Sequence, residues 1–447
     1  MGFAQVLSGQ GLFSRAMRGS VVTAGAYAVS QALRLASNLI LARLLYPEAF
    51  GIMALVSVAL VGLAMFSDLG LGPAISQSPR GDDPDFLNTA WTLNALRGAA
   101  LWLMTCALAL PMARLYQAPD LAWLLPAAGI TLLISGFNPT RIDTANRHLL
   151  LGRVTALDLA SQVIGTTAMI ALSLSLRSVW ALVLGAIAGS LAKLVLTWIF
   201  LPGQTNRPRW EPAAARSLIH FGKWIFLSTA CGFLLSQGDK AIFGAWLTLP
   251  ELGVYNIGWF LASFPVLLAG SVISRIMIPL YRDFPPAANA ANFRRMRRLR
   301  FGATGLTICL LAVLGLIGVP LVHLLYDQRY AGSGAIIVAM ACVQMPGVIG
   351  MTYDQSALAA GDSRNYFLVI ALKAVIQTLS FLVGMSLGGL FGALAAQGAA
   401  LCVMHLPIIW LARRHHAWDG LHDLVFFAMA ALLCGVVLWH NQGVLPL

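Results

Sequence analysis

Apolar runs of about 20 residues, separated by short polar stretches, recur along the whole chain. They predict thirteen helices, over 19–45, 50–74, 86–112, 119–138, 154–176, 178–201, 217–247, 251–280, 299–326, 332–358, 364–388, 389–412 and 421–440. Each is long enough to cross a bilayer, because a helix rises 1.5 Å per residue and the hydrocarbon core is about 30 Å thick. The runs do not alternate apolar and polar with period two, which excludes the strands of a membrane barrel. The connections between them are short, about 20 residues at most, and hold no extramembrane catalytic domain.

Composition agrees with the pattern. The 447 residues are 59% hydrophobic and 10% charged, where a soluble chain carries about 25% charged residues. The net charge of +12 would suggest nucleic acid on a soluble protein. Here the basic residues mark topology instead. With the N-terminus inside, the inside segments hold nineteen Lys or Arg and the outside loops only Arg43, Arg114, Arg177 and Arg329. The basic loop Arg282–Arg300 reads as an interfacial segment against anionic lipid headgroups, not as a nucleic-acid site. The six cysteines lie within apolar runs and form no CxxC pair, so they read as small buried hydrophobes. The first twenty residues lack a signal-peptide core and read as a short amphipathic helix ending near Arg15 and Arg18.

Two stretches about 200 residues apart share one pattern. "LARLLYPEAFGIMAL" (Leu41–Leu55) joins the first two helices and "FGAWLTLPELGVYNI" (Phe243–Ile257) joins the seventh and eighth. In both, Pro-Glu opens a helix, where proline fits the first turn and the carboxylate faces the positive end of the dipole. This predicts a duplicated, all-α architecture: a six-helix lobe over 1–205, a second over 206–413, and an additional C-terminal transmembrane helix in 414–447.

The polar residues inside the runs are not scattered. On the first helix Thr23, Tyr27, Ser30, Gln31, Arg34, Ser37 and Asn38 fall within one face of about 120°. A polar stripe along a span faces a cavity rather than lipid, and it places Arg34 there with Gln31 and Asn38. The competing reading has Arg34 snorkel to the nearer interface. The seventh helix repeats the pattern with Ser236, Gln237 and Lys240, and the eleventh with Lys373, Gln377 and Ser380. Arg97 beside Asn94, Lys193 and Arg275 complete six intramembrane cations. Such residues are rare in spans unless they serve a function. A net positive cavity calls for an anionic ligand, and arginine suits phosphate through paired hydrogen bonds. The intramembrane acids are Asp68, Asp158, Asp239 and Asp354. They read either as caps and partners of nearby cations or as carriers of a coupling proton or sodium ion, and the sequence does not choose among them.

Other motifs carry less. "GDDPDF" (Gly81–Phe86) reads as a helix cap rather than a metal site. "RRHHAW" (Arg413–Trp418) reads as a basic flank, and His405 as a packed core residue. There is no Walker motif, no metal site and no catalytic constellation, so no enzyme is expected and no cofactor beyond a coupling H+ or Na+.

"SNLILARLLYPEAFGIMALV" followed by "FSDLGLGPAI" resembles the opening of the oligosaccharide (Wzx-type) flippases of the polysaccharide transporter family. That family lies in the multidrug/oligosaccharidyl-lipid/polysaccharide flippase superfamily. "LLSQGDKAIFGAWLTLPELGVYNIGWFLASFP" resembles their seventh and eighth helices, and "ALAAGDSRNYFLVIALKAVIQ" their tenth-to-eleventh connection. The resemblance covers nearly the whole chain and implies two MATE-like six-helix bundles around a central cavity with alternating access. It implies transfer of a polyprenyl-diphosphate-linked oligosaccharide to the periplasmic leaflet of a bacterial inner membrane. The protein would be multi-pass with a cytoplasmic N-terminus, and would work beside a polysaccharide polymerase and co-polymerase. On that reading Arg34, Arg97, Lys240, Arg275 and Lys373 are cavity cations and Gln31, Asn38, Gln237 and Gln377 polar lining. Asp68, Asp158, Asp239 and Asp354 are the candidates for ion coupling. The same fold would also serve a peptidoglycan lipid-precursor flippase or a multidrug exporter. A membrane polymerase or glycosyltransferase fits less well, because the outside loops are short. Family members commonly have fourteen helices, one more than this pattern gives.

Overall fold

The computed structural model describes residues 12–68, 70–148, 150–222 and 226–444, with side chains from residue 25 onward except at 220–222, 226–227 and 275. Among these residues every regular element is a helix, and the chain forms two compact units, Met1–Phe233 and Leu234–Leu447.

The first unit runs α1 (Leu12–Leu44), α2 (Pro47–Phe66), α3 (Leu71–Gln77), α4 (Pro84–Leu115), α5 (Leu121–Gly136), α6 (Arg141–Arg147), α7 (Leu151–Leu176), α8 (Trp180–Phe200) and α9 (Pro212–Gly222). The boundary falls within α10 (Phe226–Phe243). The second unit continues with α11 (Leu249–Asp283), α12 (Ala290–Leu325), α13 (Ser333–Gly350), α14 (Asp354–Ala359), α15 (Ser363–Arg414) and α16 (Gly420–His440). In the first unit α4 packs along α5, and α7 along α8 and α1. In the second, α13 is the central element, packed by α11, α12, α15 and α16.

Among the described residues nine helices are long and apolar enough to cross a membrane, or ten when α5 and α6, bent by 57°, count as one span. One of the nine is two helices. The backbone of α15 breaks at Gly388 and Gly389, where Gly389 takes φ +59°, and a side chain on Gly384 would meet the Gly392 carbonyl at 2.5 Å. The chain folds back there, between the predicted spans 364–388 and 389–412. α1 and α10 fall short of that apolarity because of the polar residues that set their stripes. With these, every predicted helix has its counterpart, and the protein is an all-α multi-pass membrane protein.

Three details differ from the pattern-based expectation. The N-terminal segment is no separate interfacial helix from Leu12 on, because α1 is continuous from Leu12 to Leu44; residues 1–11 lie outside the described residues. The basic stretch after α11 is helix rather than loop from Ala290, since Asn289 caps it by accepting from the Asn292 N–H. The second, fourth and tenth spans are each interrupted, after Phe66, Gly136 and Gly350.

The capping readings hold. Pro47 and Glu48 open α2, and Thr248 with Glu251 forms a capping box at α11. Asp83 accepts the Asp85 N–H at 2.9 Å with Pro84 at the first turn of α4. The Arg80 guanidinium bridges Asp83 and Glu211, and its hydrogen bonds hold both carboxyls below their usual range. This ties the connection before α9 to the start of α4. His148, hydrogen-bonded to Asp82 at 2.8 Å, lowers that carboxyl likewise.

Candidate functional site

The interruptions build the site. α2 ends at Phe66, and the Ser67 hydroxyl bonds back to the Leu63 carbonyl. Gly70 then takes a left-handed conformation, φ +59°, and its N–H donates to Asp68 at 2.9 Å. The carbonyls left open at this helix end attract a cation. Arg97, from α4, supplies it: Nη2 donates to the Ala64 carbonyl at 2.8 Å and Nε to the Ser67 hydroxyl at 3.0 Å.

The end of α5 is satisfied in the same manner by side chains. Gly98 and Gly136 let α4 and α5 touch backbone to backbone: a Cβ on Gly98 would lie 2.9 Å from the Gly136 Cα. Asn94 therefore reaches the Gly136 carbonyl at 3.2 Å, and the indoles of Trp91 and Trp198 both donate to the Phe137 carbonyl. Pro139 follows, and α6 begins with Asp143 in its first turn.

Between these elements lies a cavity of about 320 Å3. Its lining includes Asp68, Trp91, Asn94, Arg97, Asn138, Asp143 and Lys193. Lys193, from α8, is ion-paired with Asp158 of α7 at 2.8 Å. The Asp143 side chain makes no hydrogen bond or ion pair among the described residues, and the buried Oδ1 of Asn138 has no partner.

The second unit has a smaller cavity of about 190 Å3, lined by Asp354, Lys373, His405 and Met404 among others. It too lies at a broken span: Asp354 stands in the first turn of α14, as Asp143 does in α6. His405 is buried and shares a hydrogen-bonded hub with the last helix. Asp423 accepts from Tyr353 at 2.8 Å and from Trp418 at 2.9 Å, and both His405 and His422 lie 3.1 Å from it. Arg300, 1% exposed, stacks 4.4 Å from the Tyr353 ring and donates to the Tyr281 hydroxyl, while its Nε and Nη1 find no partner.

The predicted site residues thus separate into groups. Arg97 and Asp68 share the first cavity, to which Asp158 is tied through Lys193. Lys373 and Asp354 share the second, with Gln377 one turn along α15, bonded to the Leu235 carbonyl at 3.3 Å. Asp239 is buried and accepts the Tyr255 hydroxyl at 2.7 Å. Lys240 is buried with its ammonium 4.2 Å from the Trp259 ring centroid. The Oε1 of Gln237 is buried without a partner. On α1, Gln31 is buried and donates to Tyr27 at 3.0 Å, Asn38 is half-buried and Arg34 is exposed. The Arg275 side chain lies outside the described residues. Sequence reasoning missed Asp143, Asn138, Trp91 and Asp423. The available signal was the matching interruptions "FNPTRID" and "IGMTYDQ" in the fourth and tenth spans.

The family follows from comparison. Residues 40–335 match the family model described as polysaccharide biosynthesis protein, and the chain belongs to that family. It is 21% identical over 220 residues to the teichuronic acid biosynthesis protein TuaB of Bacillus subtilis, covering 48% of this chain and 44% of that one. It is 22% identical over 244 residues to the succinoglycan biosynthesis transport protein ExoT of Rhizobium meliloti, covering 54% and 49%. The chain spans about half the length of the curated relatives it matches. Among solved structures it is similar to the lipid II flippase MurJ in an inward closed conformation, with TM-score 0.67, 11% identity and coverage of 94% and 99%. It is similar also to an inward-facing MATE family transporter of the MOP superfamily, with TM-score 0.59, 14% identity and coverage of 93% and 98%. These likenesses show the fold, which is that of MATE-like transporters.

Proposed function

We propose that the protein flips a polyprenyl-diphosphate-linked oligosaccharide from the cytoplasmic to the periplasmic leaflet of a bacterial inner membrane, for export of a surface polysaccharide. The carrying observation is the charged and polar cavity of the first unit, walled by apolar spans, in a member of a polysaccharide biosynthesis family. A span holds such groups against their desolvation only where they meet a polar ligand or one another.

Cations for the diphosphate are at hand. Neither Arg34 nor Lys373 forms an ion pair among the described residues; Arg34 is exposed, and Lys373 shares its cavity with Asp354, whose charge it feels. Lys240 and Arg275 are the further candidates from the sequence, whereas Arg97 is held by the Ala64 carbonyl and the Ser67 hydroxyl. Movement is alternating access driven by a coupling ion, with the N-terminus cytoplasmic. Asp354, facing Lys373 and His405, and Asp143 are the carboxylates that line a cavity without a side-chain hydrogen bond or ion pair among the described residues. No bond of the substrate is made or broken in this scheme, and the polymerase that consumes the flipped lipid is a separate protein.

The test is genetic. Loss of the gene in the native host is expected to leave lipid-linked oligosaccharide on the cytoplasmic leaflet and to abolish the surface polysaccharide. Normal surface polysaccharide together with resistance or sensitivity changes toward cationic drugs would instead point to a multidrug exporter.

A further inference from the structure

We infer that the cavity of the first unit, between α3, α4, α5, α6 and α8, is a subsite for a neutral sugar ring, distinct from whatever holds the diphosphate. This rests on the flippase reading and assigns the glycan end of its cargo to one place.

The chemistry of the lining selects the ligand. Both cations are already engaged: Arg97 by the Ala64 carbonyl and the Ser67 hydroxyl, Lys193 by Asp158. The Arg97 charge is offset by the carboxylate of Asp68, and Asp143 adds a second carboxylate to the lining. A diphosphate brings only acceptors and negative charge, and would meet two carboxylates. The buried group left unsatisfied is an acceptor, the Asn138 Oδ1, and the half-buried Asp143 carboxylate beside it makes no side-chain hydrogen bond or ion pair among the described residues. Acceptors need donors, and sugar hydroxyls supply them at fixed spacing without charge. Leaving the Asn138 oxygen buried and unpaired is unfavourable, so a donor-bearing ligand gains there and finds a second acceptor in the Asp143 carboxylate.

The wall supplies the rest of a sugar site. The Trp91 ring lines the cavity and is pinned in place by its indole hydrogen bond to the Phe137 carbonyl at 3.3 Å and by the edge of Trp198, 6.4 Å away between centroids. A fixed aromatic face stacks on the C–H face of a pyranose with little loss of side-chain freedom. The volume of about 320 Å3 is at the low end of small-molecule sites, about 300–1,000 Å3. That suits a terminal sugar and not an extended chain. The Arg97 anchor, the Gly98–Gly136 contact and the Asn94 cap hold the three walls together, so the subsite is preformed.

The test compares two probes on full-length protein in nanodiscs: lipid-linked oligosaccharide extracted from the native host, and bare polyprenyl diphosphate. The variants are Asn138→Ala and Asp143→Asn, whose side chains hold no other element in place. Wild type is expected to bind the glycosylated lipid about tenfold more tightly than the bare lipid, the scale of one or two well-made hydrogen bonds. Each variant is expected to lose that preference while its affinity for bare lipid stays unchanged, which also shows that it is folded. Variants that keep the wild-type preference overturn the subsite. Variants that lose affinity for both lipids in equal measure also overturn it, by placing the diphosphate there, while the flippase reading stands. If wild type binds neither lipid, the flippase reading fails and the subsite with it.

Discussion

The guanidinium of Arg97 on α4 donates to the carbonyl of Ala64 on α2 at 2.8 Å. That bond closes the open end of a broken span and fixes one wall of the cavity. Charged hydrogen bonds are worth about 1.5–3 kcal/mol. Arg97→Ala is expected to lower the unfolding midpoint in detergent and to abolish transport. Arg97→Lys, which keeps the charge but loses the fork, is expected to recover stability in part. A wild-type midpoint in Arg97→Ala would show that the α2 end is held by other means.

The crossing of α4 and α5 depends on two glycines. A Cβ on Gly136 would lie 2.9 Å from both the Asn94 carbonyl and the Gly98 Cα, and backbone does not yield as a flexible side chain does. Gly136→Val is expected to prevent accumulation of folded protein. Gly152, whose added Cβ meets nothing within 4 Å, is the contrast. Gly152→Ala is expected to match or exceed wild-type stability by up to about 1 kcal/mol. The ratio of monodisperse protein on size-exclusion chromatography reads both.

Asp423 is the acceptor for four neighbours, Tyr353, Trp418, His405 and His422. Removing it leaves several buried donors without a partner, at about 1–3 kcal/mol each. Asp423→Ala is therefore expected to destabilise more than Tyr353→Phe, which loses only one arm of the hub. Thermal unfolding of the pair in one detergent orders them, and equal midpoints would remove the hub from the account.

The surface tie of Arg80 to Asp83 and Glu211 carries a pH signature. Both carboxyls are held below their usual range by the guanidinium. A depressed carboxyl stabilises the fold above its unfolded value and loses that contribution as pH falls through the depressed one. The stability difference between wild type and Glu211→Gln is expected to stay constant from pH 7 to about 5 and to shrink below about 4. Because the pair is exposed, salt should shrink it as well. A difference that grows on acidification would contradict the assignment.

Much of the fold was legible because lipid imposes one rule: backbone polar groups must bond within the segment, so length and apolarity reveal spans. The Pro-Glu turns at Pro47 and Pro250 were legible for local reasons, since a cap depends only on its neighbours. The interruptions after Gly136 and Gly350 were not. A broken span reads as continuous when Trp91, Trp198 and Asn94 satisfy its open carbonyls from elsewhere, and their contribution is tertiary. For the same reason Lys193 and Asp158 are each legible as intramembrane charges, but their pairing across 35 positions is not. Asp423 stands near the start of an apolar run, where an acid reads as an ordinary N-terminal residue, and only the convergence of α12, α14, α15 and α16 makes it a hub.

Arg34 tests the central claim most directly, because it is a cation on a span, exposed and without an ion-pair partner among the described residues. The measurement is leaflet transfer of host lipid-linked oligosaccharide in proteoliposomes, for wild type, Arg34→Ala and Arg34→Lys. Wild type is expected to move the lipid, the alanine variant to insert normally but fail, and the lysine variant to recover part of the rate. Transfer by Arg34→Ala at the wild-type rate, or none by wild type under an ion gradient of either kind, would contradict the account.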